Sequence, residues 1–164
     1  MSLDGYLARP DGSVDFLFMP DDFSMAEFMS SVDVAIMGRK TYEDSLKMGA
    51  TFGPGMQTYV YSRSLPAGPR TDSTVVVSAP PGELLGGIRE QPGKDIWLMG
   101  GGEIVKTFLD ADAVDEIYLG IVPVLIGGGR PAFPVGLPER SFELTVCKSY
   151  SRGLVELRYR RVRG

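Results

Sequence analysis

Along roughly the first 120 residues, apolar runs of strand length alternate with segments whose apolar positions recur at helical spacing. The apolar runs predict strands at residues 3–8, 32–37, 57–62, 74–77, 95–99 and 116–122. The segments of helical period predict short helices at residues 22–31, 41–48, 81–90 and 103–109, the first capped by Asp21 or Asp22. Such alternation is typical of βαβ units, in which helices cover both faces of a mostly parallel sheet.

The chain ends in strands without intervening helices. Residues 142–150 and 154–161 flank Ser151-Arg152-Gly153, which is the pattern of a β-hairpin. We expect this hairpin to add antiparallel strands at the edge of the parallel sheet. The first strand is cut short at Met1, which leaves open a start further upstream or a trimmed chain. The prediction is an α/β fold in a single domain that covers residues 1–164.

The chain of 164 residues contains no histidine and one cysteine. These counts exclude the Ser-His-Asp and Cys-His nucleophile systems, His-ligated zinc, an intrachain disulfide and a CxxC pair. The net charge of −4 argues against a nucleic-acid surface, which needs a basic field. No apolar run approaches the ~20 residues of a bilayer span, and no signal peptide is visible. We therefore expect a soluble, cytoplasmic protein with no metal site, no nucleic-acid partner and no membrane partner.

Three unusual sequences follow predicted strands, where open α/β sheets bind their ligands. Gly38-Arg39-Lys40-Thr41 opens a helix and combines backbone amide donors with two full positive charges. Ser62-Arg63 follows the next strand, and Gly100-Gly101-Gly102 stands between a later strand and a helix. Each sequence alone is compatible with an ordinary turn or with close packing. Together they predict a polyanion site at one sheet edge, which suits a dinucleotide that carries an additional 2′-phosphate.

The G-x-G-x-x-G fingerprint of Rossmann dinucleotide-binding units is not met. Val105 stands where the third glycine belongs, and the glycine-rich stretch lies late in the chain. NAD-type sites also place an acid on the ribose hydroxyls, where this chain offers basic residues. The ordinary Rossmann unit is therefore not the match.

Several motifs occur in a fixed order along essentially the whole chain. They are SLDGYLA at 2–8, IMGRKTYE at 36–43, YVYSR at 59–63, IWLMGGGE at 96–103, DEIYL at 115–119 and VPVLIGGG at 122–129. This set resembles the dihydrofolate-reductase-like superfamily, in the branch that includes the reductase domain of the bifunctional riboflavin-biosynthesis deaminase/reductase. As a set the motifs are specific for the fold and for NADPH binding, and much less specific for the substrate.

The resemblance implies an NADPH site made from residues at the ends of the predicted strands. The adenosine 2′-phosphate and the neighbouring phosphate would contact Gly38, Arg39, Lys40, Thr41, Ser62 and Arg63. The pyrophosphate would contact the turn formed by Gly100, Gly101, Gly102, Glu103 and Ile104. The nicotinamide end would contact Leu7 and Ala8, and the adenine would contact Val77 and Ser78. The Gly127-Gly128-Gly129 loop is predicted to be a turn or bulge rather than a phosphate site.

The sequence departs from both branches of the superfamily. Riboflavin reductases carry Gly-x-Gly-Thr followed by Asp-Asp-Pro where this chain has residues 38–43, and a glutamate where it has Met99. Folate reductases carry a Trp-Pro pair in the loop after the first strand, which residues 9–16 lack. They also hold the pteridine with an acid in the first helix, near Asp22 here, although Asp22 is equally placed to cap that helix. Asp22 and, in the loop, Asp15 are the catalytic candidates.

The resemblance implies an NADPH-dependent reductase of a pyrimidine- or pterin-type substrate, similar to 5-amino-6-(5-phosphoribosylamino)uracil reductase. The alternatives are dihydrofolate-reductase-type activity and a non-catalytic protein that senses NADP. In a reductase the cofactor supplies the hydride, and the proton comes from a carboxylic acid, a tyrosine or water. Asp4 and Tyr6 are further candidates for that proton donor. The resemblance also implies a homodimer.

Overall fold

A computed structural model describes residues 1–49 and 55–163 of the chain. The chain divides into two compact units. One is continuous and comprises Met25–Ala111, and the other combines Met1–Ser24 with Asp112–Gly164. We call them the continuous unit and the split unit. The single domain expected from the chain length stays a prediction, because two compact units can belong to one domain or to two.

Helices and strands alternate as the hydrophobic pattern predicts, with their ends shifted by up to four residues. The strands are β1 (Tyr6–Ala8), β2 (Val32–Gly38), β3 (Gln57–Tyr61), β4 (Gly68–Thr71), β5 (Thr74–Val77), β6 (Asp95–Gly100), β7 (Glu116–Ile121), β8 (Arg130–Pro131), β9 (Phe142–Ser149) and β10 (Val155–Arg161). The helices are α1 (Ala26–Ser31), α2 (Arg39–Lys47), α3 (Pro81–Arg89) and α4 (Gly102–Asp110). Among the described helices, none is long and apolar enough to cross a membrane.

The continuous unit is built on a five-stranded sheet with the strand order β4-β5-β3-β2-β6. β2 pairs in parallel with β3 and β6, and β3 pairs in parallel with β5, while β4 joins β5 antiparallel. In β2, which lies between β3 and β6, Ala35, Ile36 and Met37 are 0% exposed. A strand buried on both faces reads as a continuous apolar run, which is the pattern of β2 in the sequence. The predicted mostly parallel sheet is confirmed.

α2 and α4 begin two residues and one residue earlier than their apolar periods predict. In each case a glycine precedes the helix in an extended conformation, with φ −75° and ψ 158° at Gly38 and φ −75° and ψ −168° at Gly101. The apolar period detects only the buried face of a helix. It therefore misses a first turn made of polar residues, such as Arg39 and Lys40 in α2.

The first helix is shorter than predicted. α1 starts at Ala26 with Met25 as its N-cap, so neither Asp21 nor Asp22 caps it. The Asp22 carboxylate instead accepts hydrogen bonds from the Ser151 N–H (2.9 Å) and the Ser151 hydroxyl (2.7 Å). The capping prediction is therefore wrong, because a polar turn far away in the sequence competes successfully for the Asp22 carboxylate oxygens.

β7, β10 and β9 form a three-stranded antiparallel sheet in the split unit. The predicted hairpin of β9 and β10 is confirmed, and Arg152 (φ 59°) and Gly153 (φ 81°) turn the chain between its strands. The strand beside the hairpin differs from the expectation, because β10 pairs with β7 rather than with a strand of the parallel sheet. The alternation of Ile117, Leu119 and Ile121 with other residues along β7 is typical of an antiparallel strand with one apolar face.

The 127–129 loop packs its backbone directly against the end of β1. The Asp4 carboxylate accepts hydrogen bonds from the N–H of Gly127, the first residue of the loop (2.8 Å), and from the N–H of Ile126, which precedes it (3.3 Å). Gly129 has a φ of +149°, and a Cβ built there would lie 2.1 Å from the Ala8 carbonyl oxygen. The loop therefore serves as a tight turn that leads into β8, which pairs with β1.

A side chain at Gly129 has no room. We expect Gly129→Ala to lower the free energy of unfolding by about 2–4 kcal/mol, because the added methyl group must displace the end of β1. Urea unfolding followed by circular dichroism measures this change. Gly128→Ala is the matched control, since no described atom lies within 4 Å of a Cβ built there. The control should change stability by less than about 0.5 kcal/mol, and an equally stable Gly129→Ala would contradict the close contact.

Candidate functional site

The parallel strands end side by side at the carboxyl edge, which we define by the last residues of β2, β3, β5 and β6. Gly38 at the end of β2 lies opposite Tyr61 of β3, which lies opposite Val77 of β5. On the other side of β2, Met37 lies opposite Gly100 of β6. The three sequence motifs that follow these strands therefore meet at one sheet edge, as predicted, while the roles of their residues stay predictions.

α2 starts directly at the carboxyl edge with two positive charges in its first turn, Arg39 and Lys40. Its N-cap is Gly38, and no described side chain caps the first-turn amides by a hydrogen bond. The positive end of the helix dipole repels basic side chains, which lowers the stability of the helix by about 0.3–1 kcal/mol for each of them. An anion bound at the same amides interacts favourably with both the dipole and the side chains. The start of α2 is therefore suited electrostatically to a bound anion.

Arg39 is paired with Glu43, one turn further along α2. The Arg39 Nη1 atom lies 2.9 Å from both carboxylate oxygens of Glu43. The two side chains are 37% and 41% exposed, so water screens the pair and its contribution to stability is about 0–1 kcal/mol. The sequence prediction gave Glu43 no role, although its i,i+4 spacing from Arg39 on a helix was the available signal.

β6 leads into α4 through two glycines. Gly100 is buried and has a φ of +99°, a conformation that favours glycine, and the Gly100–Gly101 peptide bond is cis. A Cβ built on Gly101 would lie 3.7 Å from Thr41 Oγ1, and one built on Gly38 would lie 4.0 Å from the Gly100 carbonyl oxygen. The first residues of α2 and α4 are therefore neighbours at the carboxyl edge.

The amides in the first turn of α4 are not equivalent. The Ile104 N–H donates to the Gly101 carbonyl oxygen at 3.1 Å, and the Ile104 side chain anchors the helix, with the residue 5% exposed. The first-turn amides that precede it belong to Gly102 and Glu103, and within residues 55–163 no side chain caps them. The role predicted for Ile104 as an amide donor thus competes with a helix hydrogen bond, whereas Gly102 and Glu103 are better placed for that role.

The turn after β3 places one cation at the carboxyl edge. Ser62 is 6% exposed, and its Oγ accepts hydrogen bonds from the N–H groups of Ser64 (3.2 Å) and Leu65 (3.1 Å). The Ser62 N–H donates to the Val77 carbonyl oxygen at 2.9 Å, which ties the turn to β5. Ser62 therefore already serves the turn, while the Arg63 side chain that follows is exposed.

The remaining predicted contact residues lie apart from these turns in the sequence. Ser78 is exposed directly after β5. Leu7 and Ala8 lie in β1 of the split unit, where Leu7 is half-buried and Ala8 is buried. Their predicted contacts with adenine and nicotinamide stay predictions.

The two candidate catalytic carboxylates belong to the split unit, and both already have partners. The two hydrogen bonds from Ser151 hold the pKa of Asp22 below its usual value. A hydrogen bond from Arg9 Nε, at 2.6 Å, lowers the pKa of Asp15 in the same way. A general acid needs a raised pKa to donate a proton near neutral pH. Neither carboxylate is tuned for that task, and their catalytic roles stay predictions.

The sequence is similar to a known domain family over most of its length. A family model described as RibD C-terminal domain matches residues 1–155. The uncharacterized protein YwjB of Bacillus subtilis (strain 168) is 31% identical over 166 residues, which cover 97% of this chain and 92% of that protein. The match thus includes both the carboxyl edge and the antiparallel hairpin's first strand.

Two solved structures share the fold. The crystal structure of a "putative riboflavin biosynthesis protein" from Shewanella sp. PV-4 is 25% identical with a TM-score of 0.88, over 99% of this chain and 96% of that chain. Dihydrofolate reductase from Enterococcus faecalis, complexed with NADP(H), is 17% identical with a TM-score of 0.69, over 98% of this chain and 92% of that chain. The dihydrofolate-reductase-like α/β fold expected from the sequence motifs is confirmed.

The bonds between Asp22 and Ser151 predict a pH-dependent loss of stability. Because the folded pKa of Asp22 is lowered, its carboxylate stabilises the fold above the unfolded pKa of about 3.9. This stabilisation disappears as the pH falls through the folded pKa. We expect Asp22→Asn to unfold at a lower urea concentration than the native chain near pH 7, and this difference should be smaller near pH 3, below the unfolded pKa.

Urea midpoints at both pH values measure this difference. Asp21→Asn, which changes the exposed neighbouring carboxylate, is the matched control. The control should keep the pH dependence of the native chain. An unchanged pH dependence in Asp22→Asn would contradict the stabilising role of the Asp22 carboxylate.

Proposed function

Because the chain belongs to the RibD C-terminal domain family, we propose that it is an NADPH-dependent reductase of a pyrimidine- or pterin-type heterocycle. The proposed reaction resembles that of 5-amino-6-(5-phosphoribosylamino)uracil reductase in riboflavin biosynthesis. One observation carries the cofactor part of the proposal. The starts of α2 and α4, which no described side chain caps, are neighbours at the carboxyl edge, and Arg39 and Lys40 add two positive charges there.

A dinucleotide with a 2′-phosphate fits this arrangement by charge and by shape. Its pyrophosphate needs amide donors that it can approach closely, and Gly101 and Gly102 offer these without a Cβ in the way. Its 2′-phosphate needs separate cations, for which Arg39, Lys40 and Arg63 are the candidates. A guanidinium binds phosphate through two parallel hydrogen bonds, which a ribose hydroxyl cannot match. One extended polyanion that contacts both helix starts explains why two basic residues stand at a helix start that disfavours them.

The other proposed contacts follow the family resemblance. Thr41 and Ser62 would add hydroxyl groups near the 2′-phosphate, and Gly38 would let the backbone approach it. Around the pyrophosphate, the proposed residues are Gly100, Glu103 and Ile104. Val77 and Ser78 would line the adenine, and Leu7 and Ala8 the nicotinamide.

When bound, NADPH supplies the hydride. Reduction of a C=N or C=O bond also consumes a proton, and the chain has no histidine to deliver it. The lowered pKa values of Asp22 and Asp15 keep both groups as carboxylates, which accept hydrogen bonds. We therefore propose that water delivers the proton, and that a carboxylate, with Asp22 as the first candidate, orients the heterocycle by accepting hydrogen bonds from its N–H groups.

Two alternatives keep the same cofactor site. Dihydrofolate-reductase-type activity is favoured by Gly38-Arg39-Lys40-Thr41 and Met99, which are closer to folate reductases than to riboflavin reductases. A protein that senses NADP without turnover would need no proton donor, in agreement with the lowered pKa values of both candidate acids. NADPH oxidation with an aminouracil and with dihydrofolate separates these functions. Acceleration by one substrate identifies the reductase, and NADPH binding without acceleration by either favours the sensor.

We expect Arg39→Ala to weaken NADPH binding far more than NADH binding. The lost charge-assisted contacts with the 2′-phosphate should cost about 1.5–3 kcal/mol, or roughly one to two orders of magnitude in Kd. Isothermal titration calorimetry with both dinucleotides measures this difference. Arg70→Ala is the control, because Arg70 is an exposed arginine on β4 of the same unit and its Nη2 contacts the Pro66 carbonyl oxygen. An equal loss for both dinucleotides in Arg39→Ala would contradict the assignment of the 2′-phosphate.

The homodimer and the cytoplasmic location implied at the sequence level stay predictions. Size-exclusion chromatography with light scattering should give twice the chain mass of 17.8 kDa at micromolar concentration. A mass of one chain across the accessible concentration range would contradict the homodimer.

A further inference from the structure

Glu43 gives the carboxyl edge a second property that the family motifs do not explain. Its two carboxylate oxygens both bind Nη1 of Arg39 at 2.9 Å. An arginine carries five N–H donors in a planar fork, and these bonds use only those of a single nitrogen. The Nε and Nη2 side of the fork is not occupied by Glu43. Arg39 can therefore bind a second acceptor while it keeps its contact with Glu43.

The charge of the pair differs from the charge of Arg39 alone. A guanidinium and a carboxylate in contact sum to zero, so the pair attracts a dianionic phosphate less strongly than a lone arginine does. A phosphate on the fork would also lie within a few ångströms of the Glu43 carboxylate, which repels it. Because both side chains are more than one-third exposed, water reduces this repulsion without abolishing it.

A ribose 2′-hydroxyl interacts with the Arg39–Glu43 pair differently from a phosphate. A hydroxyl donates a hydrogen bond to a carboxylate, which is how acidic residues select dinucleotides without a 2′-phosphate in many sites. Glu43 thus offers the unphosphorylated ribose an acceptor, while Arg39 offers the phosphorylated ribose a cation. The two opposite selectivity elements stand in contact on one helix, four residues apart.

We propose that Glu43 is a specificity-determining residue, which limits the preference of this site for a dinucleotide with a 2′-phosphate over one without it. This inference rests on the proposed dinucleotide site. Glu43 would affect the ratio of the NADPH affinity to the NADH affinity, which the presence of the site alone does not determine.

We expect Glu43→Gln to tighten NADPH binding about three- to tenfold, because the amide keeps an acceptor for Arg39 and removes the negative charge. NADH binding should stay the same or weaken, so the NADPH-to-NADH affinity ratio should rise at least about threefold. Glu43→Ala should shift the ratio in the same direction. The shift should shrink at high salt, because it comes from exposed charges.

The test is calorimetric titration of the full chain with NADPH and with NADH, at low and at high salt, for the native chain and each variant. Asp44→Asn is the matched control. It removes one negative charge from the next position of α2, where the carboxylate contacts Lys47 at 3.3 Å. The control should leave the affinity ratio within about twofold of the native value.

The outcomes separate this inference from the function it rests on. If the native chain binds neither NADPH nor NADH, both the proposed dinucleotide site and the proposed role of Glu43 are overturned. If NADPH binds and Arg39→Ala weakens it, the site stands. An unchanged ratio in Glu43→Gln, or the same shift in Asp44→Asn, then overturns the role of Glu43 alone. Weaker NADPH binding in both Glu43 variants would also overturn the proposed specificity role. That result would mean that Glu43 positions Arg39 for the phosphate.

Discussion

The parallel pairing of β2 with β3 and β6 determines where every group at the carboxyl edge lies. β2 is the strand between them, and Ala35, Ile36 and Met37 have no exposed surface. A shift of register in such a strand would move buried apolar side chains out of their packing, so the register is strongly specified. The helices that follow these strands must then start at the same level. Burial inside the sheet, rather than any contact at the edge, thus brings the starts of α2 and α4 together.

The groups at this edge are locally unfavourable, which distinguishes them from the rest of the continuous unit. Arg39 and Lys40 stand at the N-terminal end of helix α2, where the helix dipole repels cations. Residues that contradict local preferences concentrate where a protein binds ligands, because the stability of the scaffold supports them. The Arg39–Glu43 contact partly relieves this conflict within the helix.

The sequence was sufficient to predict the parallel strands and the three motifs after them, because buried strands are continuous apolar runs and glycine marks close backbone approach. It was insufficient where the outcome depends on contacts between distant segments. Asp22 caps no helix because Ser151 competes for its carboxylate, and no local pattern reveals such a partner. The two-residue strand β8 and the Pro-containing strand β4 have no hydrophobic period to detect. The pairing of β10 with β7 could not be predicted either, because the alternating pattern of β7 does not show which strand lies beside it.

The division into a continuous and a split unit has a consequence for how the chain folds as it is synthesised. The continuous unit is complete once Ala111 has emerged, and all its sheet pairings are internal. The split unit needs two segments, which precede and follow the continuous unit in the sequence. The hydrogen bond between Ser151 and Asp22 joins these segments across 129 residues. Units fold in the order in which they are completed, and contacts of long sequence separation form late. We therefore expect the carboxyl edge to form during synthesis before β1 acquires its partner strand β8.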